Sequence, residues 1–125
     1  MRSIEGMEKA KSILGNFSFS EFCIVRELRY YEASESSGSA QNIDLHLETV
    51  GRKPNYRIKL VFVQVSGFRL DGFGGGKFSI TGLNISDVSD RQWNGINWEV
   101  SDFESNAIEF RSFAATIEAV EPVDQ

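Results

Sequence analysis

The stretch YRIKLVFVQVSGFRL, residues 56 to 70, decides the fold. Ile58, Leu60 and Phe62 share one parity and Val61, Val63 and Val65 the other, so the repeat is the two of a pleated strand and not the 3.6 of a helix. A strand that is apolar on both parities belongs in the middle of a sheet, covered on both faces. Gly67 within it marks a bulge.

Working outward, the same period of two recurs on both sides. Ile43, Leu45, Leu47 and Thr49 alternate with Asp44, His46 and Glu48, which predicts a strand with one face in the core and one in water. Phe22 to Tyr31 alternates as well, and SESSGS, residues 34 to 39, reads as a flexible hairpin loop between these two strands. Gly51 to Asn55 turns the chain into the central strand. Beyond it, Phe78, Ile80, Leu83 and Ile85 read as one further strand, and Asp87 to Arg91 as a polar connection. Trp93 to Val100 encloses Asn94-Gly95, the strongest two-residue hairpin signal. Ile108 with Phe110, then Phe113, Ala115 and Ile117, supply the last strands. Glu121 to Gln125, with Pro122, should fray.

Helical periodicity is confined to the front. Residues 3 to 14 put Ile4, Met7, Lys11 and Leu14 on one stripe, with Ser3 placed to cap the start and Gly15 to end it. Gly6 weakens this helix by up to about 1 kcal/mol relative to alanine, so tertiary packing must hold it. Without helices between strands, a doubly wound α/β fold is excluded. The expectation is a mainly β (α+β) fold, an antiparallel β-sheet pair or sandwich whose open end is covered by one N-terminal helix. With 125 residues the chain fits a single domain over residues 1 to 125: a helix over 3–14, a β core over 18–120 and a frayed tail over 121–125.

Composition agrees. Apolar residues make up 41% and charged ones 25%, and ten phenylalanines suit a core of pleated strands. No run approaches the roughly 20 apolar residues that span a bilayer, and Met1 to Glu5 lacks the apolar stretch of an export signal, so a cytoplasmic location is expected. Asn16-Phe17-Ser18 and Asn84-Ile85-Ser86 are then chance matches to a glycosylation pattern.

Most catalytic chemistries fail on inventory. Gly72, Gly74, Gly75 and Gly76 with Lys77 resemble a phosphate cradle. A P-loop, however, needs Ser or Thr where Phe78 stands and Gly where Asp71 stands; a dinucleotide fingerprint needs Gly at Lys77. The loop also leads into a strand and offers no helix N-terminus to an anion, so it reads as a turn. Cys23 is the only cysteine and His46 the only histidine, which leaves no disulfide, no usual zinc set and no histidine beside a nucleophile. Asn84, Asp87 and Asp90 lack the spacing of a calcium loop. Glu99, Asp102 and Glu104 beside Trp98 could mimic the paired carboxylates and aromatic platform of a sugar site, but a chain this short has little material for walling a deep cleft. Arg52, Lys53, Arg57 and Lys59 around Tyr56 form the one basic cluster, in an acidic chain with no nucleic-acid motif. No catalytic, cofactor or metal residues are assigned, and neither nucleic acid nor membrane is expected as a partner.

The charge is uneven. Residues 1 to 80 carry eleven Lys and Arg against nine Asp and Glu; residues 81 to 125 carry two against nine. The second part therefore presents an acidic surface that favours basic partners.

It also carries a resemblance. Gly72 to Gly76, Gly82-Leu83-Asn84-Ile85, Ser86-Asp87 with Asp90, Trp98-Glu99 and Asp102-Phe103, with Ile13 to Phe17 at the front, resemble the immunity-protein-fifty family of bacterial polymorphic toxin systems over roughly residues 13 to 118. Phe19-Ser20-Glu21 stands where that family tends to carry Phe-His-Asp, so no role of that histidine or aspartate carries over. The resemblance implies a non-enzymatic cytoplasmic protein that binds and neutralises a cognate toxin domain. The acidic strip Asp87, Asp90, Glu99, Asp102 and Glu104, with Trp98 as anchor, is the expected contact surface. A small β-rich carbohydrate- or ligand-binding module is the alternative, with Trp93 or Trp98 exposed beside a groove.

Overall fold

A computed structural model describes residues 4–35, 38–70, 78–79, 82–91, 96–102 and 108–123. The elements in chain order are helix α1 (Met7–Leu14), a 3-10 turn (Phe19–Glu21), β1 (Phe22–Glu35), β2 (Gly38–Thr49), β3 (Tyr56–Leu70), β4 (Phe78–Ser79), β5 (Leu83–Asp87), a second 3-10 turn (Ser89–Arg91), β6 (Trp98–Asp102) and β7 (Ile108–Pro122). All seven strands belong to one antiparallel sheet in the order β4-β1-β2-β3-β7-β6-β5. The mainly β, antiparallel fold with an N-terminal helix is as expected, and the apolar stretch over 56–70 is the middle strand.

One sheet takes the place of the two stacked ones, and chain connectivity explains how. β4 and β5 lie on opposite edges, yet only residues 80–82 join them. A flat seven-stranded sheet would hold its edges about 29 Å apart at about 4.8 Å per step. The four residue steps from Ser79 to Leu83 reach at most about 15 Å. The sheet must therefore curl until its edges are neighbours, and its two walls then face each other as two sheets would. Between them lie Leu45, Leu47, Ile58, Leu60, Phe62, Val100, Ile108 and Phe110, each fully buried in one cluster.

The bends that curl the sheet are local. Gly67 has φ 63, and the β3–β7 register shifts between Ser66 and Arg69, the bulge its glycine announced. A second bend sits at Gln64, whose φ of 56 is strained for a residue with a side chain, by an amount on the order of 1–3 kcal/mol. The buried Asn42 side chain holds it, Oδ1 accepting from the Gln64 N–H at 3.2 Å. Past this point inward parity changes: Phe62 is buried, Gln64 exposed, Val65 buried. β7 does the same opposite, with Phe110, Ser112, Ala115 and Ile117 inside and Phe113 outside at 46% exposure; the two stretches expected as separate last strands form this one strand, and Phe113 does not share the face of Ala115 and Ile117 as their alternation implies. Only one face of β3 is covered, because the helix lies elsewhere and Val61 and Val63 stay half-buried on the outer face. Bent twice, β3 brings Phe68 onto Tyr30 of β1, stacked at 4.7 Å, and edge-on to Phe110 at 6.2 Å.

The front segment closes the gap between the edges. α1 starts at Met7 and not at residue 3, since Gly6 has φ 90 and caps it, while Glu5 forms a parallel bridge to Thr116. A Cβ on Gly6 would lie 2.4 Å from the Ile117 carbonyl oxygen, so the glycine admits β7 and does not merely weaken the helix. Ser3 lies outside the described residues. Gly15 ends the helix as expected, its N–H donating to the Lys11 carbonyl. Ser18 and Glu21 form a capping box around the first 3-10 turn. That turn meets the start of β5, where a Cβ on Gly82 (φ 138) would lie 2.8 Å from the Ser20 carbonyl oxygen.

Three boundaries differ from expectation. The β1–β2 pairing continues to Glu35 opposite Gly38, so strands claim most of the segment over 34–39. The stretch around 78–85 is two strands on opposite edges. The C-terminal tail is held through Val123, whose N–H donates to the Asn55 carbonyl at 2.9 Å; residues 124–125 lie outside the described ones, as do the glycine loop at 71–77 and Asn94-Gly95.

Candidate functional site

The expected contact surface lies on the β5–β6 ladder and the turn after it. Its register pairs Asp87 with Trp98, Ser86 with Glu99 and Leu83 with Asp102. Alternation along β6 sends Trp98, Val100 and Asp102 inward and Glu99 and Ser101 outward. Trp98 is 5% exposed and Asp102 2%, so neither can meet a partner, and Trp98 presents no ring face to a sugar. Glu99 and Asp102, three positions apart, point to opposite faces and do not form the carboxylate pair of a glycosidase. Three of the expected residues stay accessible. Asp90 is exposed; Asp87 accepts from the Ser89 N–H at 2.9 Å and hydroxyl at 2.6 Å, which starts the second 3-10 turn; Glu99 accepts from Arg111 Nε at 3.1 Å. Glu104 and Trp93 lie outside the described residues.

Sequence reasoning missed Phe113. It stands on the outer face beside Glu99 and Arg111, its carbonyl oxygen accepting from Asn97 Nδ2 at 2.8 Å. The positive φ of Gln64 on the facing stretch of β3, at a residue that gives no glycine signal, accompanies this outward turn.

Three of the four residues of the basic cluster, Arg52, Arg57 and Lys59, are paired with carboxylates. Arg52 Nε donates to Glu21 at 2.8 Å and its guanidinium also reaches the Leu14 carbonyl, tying the β2–β3 turn to the helix. Hydrogen bonding to Arg52 holds the Glu21 carboxyl below the usual carboxylate range and raises the arginine in turn. Arg57 binds Glu48, and Lys59 lies 3.4 Å from Glu121. Glu48, expected in water, is buried between Arg57 and Arg26, the latter at 2.9 Å. Burial pushes its carboxyl up, but the hydrogen bonds and charges of the two arginines outweigh burial and leave it below the usual range. Nearby, Tyr31 donates to Asp44 at 3.0 Å, and burial with that hydrogen bond raises the phenol. His46 faces outward, 3.9 Å from the Glu27 carboxylate. The Cys23 thiol, partly buried, donates to the Ser20 carbonyl at 3.3 Å. Among the described residues no group of three or more His, Cys, Asp or Glu is arranged to hold a metal ion, and no helix is long and apolar enough to cross a membrane.

The model of the family described as Immunity protein PIM8 matches residues 9–116, most of the chain. The chain belongs to the Immunity protein PIM8 family. No curated protein and no solved structure matches it. The immunity class implied by the resemblance is thus shown, under the PIM8 description. The matched span of this PIM8 family member runs from α1 to Thr116 of β7 and takes in the curled sheet, the Gly82 contact and the β5–β6 ladder.

Proposed function

We propose that the protein is a non-enzymatic cytoplasmic immunity protein that binds and neutralises a cognate bacterial toxin domain. The family match over residues 9–116 carries this reading. The surface supports it: the core consumes the apolar side chains, the arginines of the central strands are committed to carboxylates, and Glu99 and Asp102 do not converge. The contact residues in this reading are Asp87, Asp90 and Glu99, joined by Phe113 as an aromatic anchor in a polar rim. Trp98 and Asp102 drop out because they are buried. Co-expression with the toxin encoded by the neighbouring gene tests it. Growth should be rescued and the toxin should co-purify with the chain; growth arrest despite soluble, folded chain would contradict it.

A further inference from the structure

Two local costs and one exposed aromatic ring share a level of the β3–β7 ladder. Gln64 of β3 has φ 56, a conformation that residues with side chains rarely adopt. The buried hydroxyl of Ser112 on β7 has no hydrogen-bond partner among the described residues. Phe113, next to it, lies opposite Gln64, between the pairs Val63 with Ala114 and Val65 with Ser112, and is 46% exposed. Such costs gathered around an exposed side chain point to a place built for something other than stability.

The bond that opposes the strain is a single one. The β2–β3 ladder ends at Ile43 with Phe62, and beyond it the Gln64 N–H donates to Oδ1 of the buried Asn42 at 3.2 Å. A hydrogen bond and a left-handed residue are of comparable energy, so removal of the Asn42 side chain lets Gln64 return to extended backbone. An extended Gln64 alternates onto the inner face with Phe62. Residues opposed across an antiparallel pair share a face, so Phe113 then follows it inward.

We infer that Asn42 is a positioning residue, which through the Gln64 backbone keeps Phe113 turned outward as a contact for the toxin. The contact role rests on the immunity reading above; the outward turn does not.

Thiol labelling of the full chain tests it, in a Cys23→Ser, Phe113→Cys background that leaves one thiol. N-ethylmaleimide should label position 113 rapidly. Adding Asn42→Ala should slow labelling at least tenfold, and adding Gln64→Gly to that chain should restore it, because glycine adopts the positive φ unaided. Gln64→Val, at an exposed position, resists the left-handed region; it should slow labelling as Asn42→Ala does, and it decides the matter if Asn42→Ala does not fold. With Phe113 in place, affinity for the neighbouring toxin domain should fall at least tenfold in Asn42→Ala and return in Asn42→Ala, Gln64→Gly. Equal labelling of the parent and of the folded Asn42→Ala and Gln64→Val chains would overturn the proposal and leave the immunity reading standing, as would slowing that Gln64→Gly does not reverse. Labelling as expected with toxin affinity unchanged would remove the contact role of Phe113 and overturn the proposal. A native chain that binds no toxin would remove the immunity reading and the proposal with it.

Discussion

On β1, β2 and β3 the outer face is closed by its own charges, whereas beside β5 the neighbours are apolar side chains of the front segment. Arg26 and Arg57 converge on Glu48, Arg29 faces Asp44, and Lys59 faces Glu121. Across the molecule, β5 ends the sheet beside an apolar groove, with Asp90 exposed beyond it. The difference teaches that a cluster of like charges in the sequence need not be an unpaired cluster in the fold. Three of the four residues in the densest basic run, Arg52, Arg57 and Lys59, pair with carboxylates of the fold, whereas Asp90 beyond β5 stays exposed.

The strongest way to break this contrast is at Trp98. Because it packs in the core beneath the β5–β6 ladder, Trp98→Ala should destabilise the chain by about 3–5 kcal/mol in urea unfolding. A change under about 1 kcal/mol would return the tryptophan to the surface, where a role as contact anchor requires it.

Next comes the double variant Arg26→Ala, Arg57→Ala, which leaves Glu48 buried without a cation. The loss should be about 3 kcal/mol at pH 7, the low end for a buried pair because both arginines are partly exposed. The pH dependence sharpens the test. In the native chain Glu48 and Glu21 have folded pKa values below their unfolded ones, so their contribution is full above the ordinary carboxylate range and is lost as pH falls through the folded values. In the variant, burial acts on Glu48 without the arginines, and its protonation relieves the penalty. The stability gap between native and variant should therefore narrow as pH falls, beginning above about pH 4.5 where Glu48 of the variant protonates and continuing below it as the native carboxyl does, as measured by unfolding at stepped pH. A gap that stays constant would show that Glu48 is not the group responsible.

A smaller effect is expected where the two regions join. Gly82→Ala forces a Cβ against the Ser20 carbonyl at an unfavourable φ and should cost about 1–3 kcal/mol, with faster hydrogen exchange in β5 than in β2. Equal changes in both strands would mean that the contact does not anchor the edge. Smallest of all, Phe113→Ala should change stability by no more than about 0.5 kcal/mol. A toxin affinity loss of tenfold or more in that variant would make Phe113 a contact residue.

What the sequence disclosed follows from local periodicity. The alternation at Ile58, Leu60 and Phe62, the bulge at Gly67 and the helix stop at Gly15 were legible because each has a residue type that forces it. The inversion at Gln64 was not, since a glutamine in the left-handed region is held there by Asn42, twenty-two positions earlier, and no local pattern reports that contact. With this miss goes the exposure of Phe113, which faces Gln64 across the β3–β7 ladder. Glu48 shows the same limit, as its alternation correctly assigned the outer face but could not show two arginines from neighbouring strands closing over it. Strand order decided the rest. Reading residues 78 to 85 as one strand concealed that β4 and β5 occupy opposite edges, and with it the curl of the sheet.

The central claim is that this chain acts by binding a toxin and performs no chemistry of its own. Titrating the purified full chain into a fixed concentration of the neighbouring toxin domain, while following the toxin's activity, tests it most directly. The account predicts that activity falls linearly to zero at one equivalent, and that unaltered toxin is recovered when the complex is dissociated in denaturant. Full toxin activity at saturating chain, or inactivation by catalytic amounts of it with a permanently altered toxin, would contradict the account.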